Sequence, residues 1–436
     1  MIKFLLYLLV TSLFLLDWLY LKHNIGIRQM TWIPEFVSIL ILVLIPFRTA
    51  INKESNVPIK YIILIILYLA HLIIGFLLND VSGWVVLSGT RIYTKFLPIF
   101  LVLLIFPLSE KEFKRLFLFV FILGMMQFPI VVMQRFVFYA GTLSGDPMGG
   151  TLGHSASGIL AIFMVIVMSF LIAFYLKELI SLRVFIIAFA AAFIPITLNE
   201  TKISFILLPV AFIVTAFFVR GKAKTIFRIF IMLVLLVMAF FVLKGIYDYF
   251  QEKRWGYGIG TFVSTPGRLE EYNQRRVDPL KYSFTYAATK DIRYSVFGRG
   301  AGNASRGFTR TLNGKYLQER LRFGYSNLSF SIFVWEIGLI GTFFFMLFPL
   351  FISFDAIQLS KEQGFLGAFS LGLITFSLFF ILSFFYTHSI DSNLLVYLFF
   401  LMGGYVVSRK KILLKTEDLQ LQEPYWLSLY DHPNSH

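Results

Sequence analysis

Long apolar runs punctuated by short basic clusters fill most of this chain. Runs such as Tyr61 to Leu78 and Ile159 to Tyr175 approach the roughly 20 apolar residues that cross a ~30 Å hydrocarbon core. They predict membrane spans rather than buried helices of a soluble core. The first run, Phe4 to Leu16, has the length of a signal-peptide core. No small-residue cleavage site follows it before Asp17, Trp18 and Tyr20, so it is read as a retained span.

The basic clusters fix the expected topology. They lie at Arg48 to Lys60, Lys111 to Arg115, Lys177 to Arg183, Arg220 to Arg228, around Lys361, and at Arg409 to Lys415. Short loops rich in Lys and Arg stay on the cytoplasmic side, so the chain leaves and returns between consecutive clusters. With Lys3 at the start, this predicts an all-α integral membrane protein of about twelve transmembrane helices with both termini cytoplasmic. Residues 184 to 219 would be about 54 Å long as one helix, too long for one bilayer crossing. They are expected to form a hairpin with its tip at Thr197 to Lys202, after Pro195, and the short arms put that tip below the outer surface.

Residues 246 to 326 interrupt the pattern. They are polar and fall on the outer side, giving a large periplasmic loop between spans 9 and 10. The expected division is 1–245 for spans 1–9, 246–326 for the loop, 327–408 for spans 10–12 and 409–436 for a cytoplasmic tail. The loop holds fourteen Lys/Arg against seven Asp/Glu, which an outer placement tolerates because long loops translocate largely regardless of charge. Recurring Tyr and Phe mark it as a folded insert, with a helix at Arg268 to Arg276 and a turn at Asp278-Pro279.

Composition agrees with this reading. Hydrophobic residues make up 58% of 436 positions and charged residues 14%, too apolar for a soluble fold to hide. Cys is absent, which removes disulfides, thiolate ligands and cysteine nucleophiles. The net charge of +15 points to anionic partners, although part of it only sets orientation. No nucleic-acid partner and no cofactor are expected, and membrane lipids surround the chain.

An ionisable residue at membrane depth is a functional candidate by default. Four outer-side places qualify. Arg91 and Lys95, four residues apart on one predicted helix face, precede the apolar run Phe96 to Pro107. Gln134 and Arg135 end the fifth span. Glu200 and Lys202 sit on the hairpin tip, and the large loop carries Arg268, Arg275, Arg276, Arg293, Arg299 and Arg306. Each cation alone could simply snorkel to headgroups. Their common placement on the face that disfavours positive charge instead suits a phosphate, because guanidinium offers a bidentate fork and stays charged. The glycine-rich stretch Phe297 to Asn303 is either a plain turn or a cradle of backbone N–H groups for an anion. His154 follows Gly149 to Gly153 at the entry to the sixth span. No histidine pair has metal-ligand spacing, so no metal site is expected.

Several of these motifs, in order, resemble those of the O-antigen ligase and O-antigen polymerase superfamily. Gly150-Thr151-Leu152-Gly153-His154 is similar to its G-T-F-x-H-P-N signature, with Ser155-Ala156 in place of Pro-Asn. Gly267-Arg268 and Phe297 to Gly302 resemble its G-R and G-x-G-x-G pair. Asn327 to Gly341, ending Trp335-Glu336-Ile337-Gly338-Leu339-Ile340-Gly341, resembles the H-N-x-x-L…E-x-G-x-x-G motif that opens the tenth span. The loop histidine implicated in ligases falls on or near Asn327, where this chain has none, which tilts the resemblance towards the polymerases.

The resemblance implies a metal-independent glycosyltransferase of the bacterial inner membrane with a periplasmic active site. An acceptor hydroxyl, on a glycan or lipid-linked acceptor, would attack the anomeric carbon of an undecaprenyl-diphosphate-linked glycan donor. It implies diphosphate-binding roles for Arg135 and Arg268; Arg91, Arg276 and Arg299 join them by position. Base candidates are Glu200, Glu336 and His154. The alternatives are an O-antigen ligase acting on lipid A core, a lipid-linked oligosaccharide flippase or other transporter, a glycan polymerase of the cell-shape family, and an assembly scaffold.

Overall fold

The computed structural model describes residues 2–23, 30, 32–44, 57–79, 81–142, 147–153, 156–219, 223–255, 277–287, 291–305, 307, 312–322, 328–390 and 392–422. Among these residues every regular element is helical. The helices are α1 (Ile2–His23), α2 (Ile33–Leu44), α3 (Ile59–Leu78), α4 (Gly83–Thr94), α5 (Leu97–Ile105), α6 (Glu110–Phe138), α7 (Ser157–Leu176) and α8 (Leu182–Leu198). They continue with α9 (Ser204–Phe218), α10 (Ala223–Trp255), α11 (Asp278–Tyr282), α12 (Ile292–Phe297), α13 (Leu317–Arg322), α14 (Ser329–Leu359), α15 (Gly364–Tyr386) and α16 (Asn393–Gln422).

Six of the described helices are long and apolar enough to cross a membrane, or seven if the bent pair α4 and α5 is one span. The chain is a helical membrane protein. Shorter apolar helices occur at Ile2–Leu16, Ile33–Leu44, Leu182–Leu198 and Ser204–Phe218. The predicted hairpin is α8 and α9, and its tip is buried at Thr197, Asn199, Glu200 and Thr201.

In lipid no hydrophobic force drives one helix onto another, so close packing and polar contacts must hold the bundle. Much of the phenylalanine serves this purpose. Phe96 stacks on Phe400 at 4.0 Å, Phe380 on Phe399 at 4.4 Å, and Phe113 on Tyr405 at 3.6 Å between ring centroids. Helix α7 is almost wholly enclosed by α8, α9 and α15. Thr215 and Thr375 share a hydrogen bond of 3.0 Å between α9 and α15. Lys177 donates to the carbonyl of Ser360 at 2.7 Å, tying the α7 end to the end of α14.

Helix α10 runs unbroken to Trp255. Two local expectations change. Asp278-Pro279 opens the short helix α11 instead of a turn, because proline's missing N–H costs nothing in a first helical turn. The helix carrying Arg91 begins at Gly83 but ends at Thr94, and α5 departs at 47°. Pro98, in the first turn of α5, can neither donate to the carbonyl four residues back nor avoid it sterically, so the break falls there.

Candidate functional site

Three motifs flagged by the sequence meet at one place. At the end of α6 the helix widens to a π turn over Gln134–Phe138, which buries Gln134 and Arg135. The turn at residues 149–153 is fastened to this helix by two glutamines. Gln134 donates to Gly150 O at 2.7 Å and accepts from Gly150 N at 2.9 Å. Gln127 accepts from Thr151 N at 2.9 Å. Gly150 has φ +61°, and a Cβ there would come within 2.3 Å of Gln127 Oε1, so a side chain at this position is strained.

The hairpin tip closes this assembly. Arg135 Nη2 donates to Glu200 Oε1 at 2.9 Å, with side chains only 3% and 4% exposed. The Arg135 guanidinium also lies 3.7 Å from the ring centroid of Phe250 in α10. Asn199 donates to Ser157 O at 3.1 Å, fixing the tip to the first residue of α7. Glu200 has φ +55°, a conformation costing a non-glycine residue about 1–3 kcal/mol and concentrated at functional sites.

A second assembly surrounds Glu336, which is fully buried. Its Oε2 accepts from Tyr93 OH and from Gly302 N, both at 2.7 Å, and its Oε1 accepts from Ala304 N at 2.9 Å. The glycine-rich turn therefore is an anion cradle, and the anion it holds is the chain's own carboxylate. Gly298 and Gly302 sit at φ +68° and +82°, and a Cβ on either would lie within 2.5 Å of Glu336 or Val85 backbone. Helix α14 breaks at Gly338, φ +68°. His71 meets the Ile337 carbonyl at 2.8 Å and stacks on Phe297 at 5.0 Å.

Other described cations among the candidates are also engaged. Arg91 Nη1 donates to both Glu35 oxygens at 3.0 Å and its guanidinium lies 4.7 Å from the Trp32 ring. Lys95 donates to Asn393 Oδ1 at 2.8 Å. Arg299 pairs with Glu319 and is enclosed by Tyr316 at 4.3 Å, Trp335 at 4.6 Å and Tyr294 at 5.0 Å. Outside the membrane spans, exposed Arg293 beside Asp291 holds that carboxyl below its usual value by hydrogen bonding.

The structure thus joins Arg135 to Glu200 and Glu336 to the glycine turn, while Arg91 and Arg299 lie in separate ion pairs. His154, Arg268, Arg275, Arg276, Arg306 and Asn327 lie outside the described residues. Sequence reading missed the acids, Glu35 and Glu319, that partner Arg91 and Arg299. A signal for Glu35 was present, since a carboxylate at the start of an apolar run is itself a functional pointer. Among the described residues, no three His, Asp or Glu side chains gather as a metal site. No protein-family model matches the chain, and no curated protein matches it in sequence.

Proposed function

We propose that this chain is a polymerase-like membrane glycosyltransferase of surface-polysaccharide assembly. It would transfer a glycan from undecaprenyl diphosphate to an acceptor sugar hydroxyl on the periplasmic face of the bacterial inner membrane. The reading includes about twelve spans, both termini cytoplasmic and residues 246 to 326 outside.

One observation carries it: the buried Arg135–Glu200 pair at the meeting of the α6 end, the Gly150-Thr151 turn and the hairpin tip. Burying each charge costs several kcal/mol, and hydrophobic replacements often serve stability as well or better. A pair kept at such cost inside a membrane bundle supports a chemical role.

In the proposed reaction the donor diphosphate takes the Arg135 fork in place of Glu200. The exchange releases the Glu200 carboxylate to act as general base. The acceptor oxygen bonds to the anomeric carbon while its proton passes to Glu200. The bond from that carbon to the diphosphate oxygen breaks, and the leaving group departs with the electron pair. Arg135, and Arg268 by the family resemblance, neutralise the charge that develops there. Glu336, whose two oxygens accept from Tyr93, Gly302 N and Ala304 N, is the other described base candidate.

The glycan phenotype of a deletion strain tests the reading. A polymerase predicts single repeat units attached to the surface acceptor. Long chains stranded on undecaprenyl diphosphate would indicate a ligase, and single units facing the cytoplasm a flippase.

A further inference from the structure

Far along α14 from Glu336, a second polar cluster has no part in the proposed reaction. Lys60 Nζ and Lys410 Nζ each lie 2.7 Å from Oδ1 of Asp355, and Tyr61 OH donates to Oδ2 at 2.7 Å. The four side chains join α3, α14 and α16. Asp355 is 1% exposed, whereas the Lys60 side chain is 39% exposed and that of Lys410 19%. The cluster is therefore buried at its carboxylate and partly exposed along its lysine side chains.

Among the described residues its charges do not balance. Two ammonium groups share one carboxylate oxygen, and the remaining oxygen is taken by a neutral phenol. One positive charge is left over in a partly desolvated place, where an uncompensated charge is costly. Lys411, the next residue after Lys410, donates to Val57 O at 3.4 Å just before α3. The first turn of α3 contains no acid. The Tyr61 and Phe351 rings lie 5.0 and 5.7 Å from Lys60 Nζ and form an aromatic floor. Ile59, Phe354 and Leu414, adjacent to or one turn from these residues, are exposed large apolar side chains.

We propose that this cluster binds the phosphate of an anionic membrane lipid. The excess ammonium charge would meet the phosphate, and the exposed apolar neighbours would lie against the acyl chains. Basic pockets between spans take acidic headgroups in this way, each lysine contributing on the order of fivefold in affinity. A site for lipid explains why a second lysine is spent on a carboxylate that one would neutralise. The proposal does not depend on glycosyl transfer.

The test is titration of the purified full-length protein, by native mass spectrometry and thermal melting, with phosphatidylglycerol, phosphatidylcholine and inorganic phosphate. Phosphatidylglycerol should bind and raise the melting midpoint, and phosphatidylcholine should not. Lys60→Gln and Lys410→Gln each leave a one-to-one pair with Asp355, so both should fold, and each should weaken phosphatidylglycerol binding about fivefold. Equal binding of the two lipids, or undiminished phosphatidylglycerol binding in both variants, overturns the site. Equal stabilisation by inorganic phosphate overturns the lipid as its occupant.

Discussion

Glu200 Oε1 lies 2.9 Å from Arg135 Nη2 although 65 residues separate the two in sequence, and both side chains are almost wholly buried. The hairpin formed by α8 and α9 exists at a length that sets this contact: its arms are too short to carry the tip clear of the bundle. A glutamate in a left-handed conformation is thereby pressed onto the end of α6. The contact explains how two residues with no local relationship can form one chemical unit.

Substitutions at Arg135 should separate chemistry from packing. Arg135→Ala should cut turnover on the order of 100-fold, about 3 kcal/mol, as loss of one oxyanion donor does. Arg135→Lys should restore only part of it, since a point charge lacks the fork that meets two phosphate oxygens. Specific activity, normalised to folded protein in the membrane, is the readout. Wild-type turnover for Arg135→Lys would remove this residue from the mechanism.

Glu200→Gln keeps the shape and one acceptor oxygen but removes the base and the charge. Turnover should fall at least as far as for Arg135→Ala. A double-mutant cycle with Arg135→Lys should be strongly non-additive, because the two residues act as a unit. Additive losses would show that the contact is incidental.

Glu336→Gln should instead act on stability. Several donors, Tyr93 OH and the Gly302 and Ala304 N–H groups among them, converge on the two carboxylate oxygens, and an amide can accept on only one side, leaving an N–H or O–H facing NH₂. An unsatisfied buried donor costs about 1–3 kcal/mol. Thermal melting should show a lowered midpoint while folded protein retains turnover. Loss of turnover at an unchanged midpoint would make Glu336 the base.

Topology is checked by reporter fusions at Asn313 and at the C-terminus, which should give opposite signals. Equal signals would contradict the outer placement of the large loop.

Much of the membrane character and the hairpin was legible in the sequence, because apolar run length and breaks in it are local signals. The Gly150-Thr151 turn and the glycine-rich stretch were legible as special backbone. Their occupants were not. Nothing in the spacing of Gly302 and Glu336 says that the cradle closes on an internal carboxylate, and nothing local pairs Arg91 with Glu35 or Arg299 with Glu319. Those partners are chosen by helix packing across long sequence separations. The helix break at Lys95 was likewise hidden: the apolar run reads continuously, and only Pro98 marks it.

The most direct measurement uses the purified protein, in EDTA, with the undecaprenyl-diphosphate-linked glycan extracted from a deletion strain. The donor already carries an activated leaving group that arginines can neutralise, so divalent metal should be unnecessary. The predicted result is release of undecaprenyl diphosphate together with elongated glycan. Release that is abolished by EDTA, after controls for charge effects on the substrate, would contradict the metal-independent mechanism. A donor left intact with and without metal would contradict the proposed transfer itself.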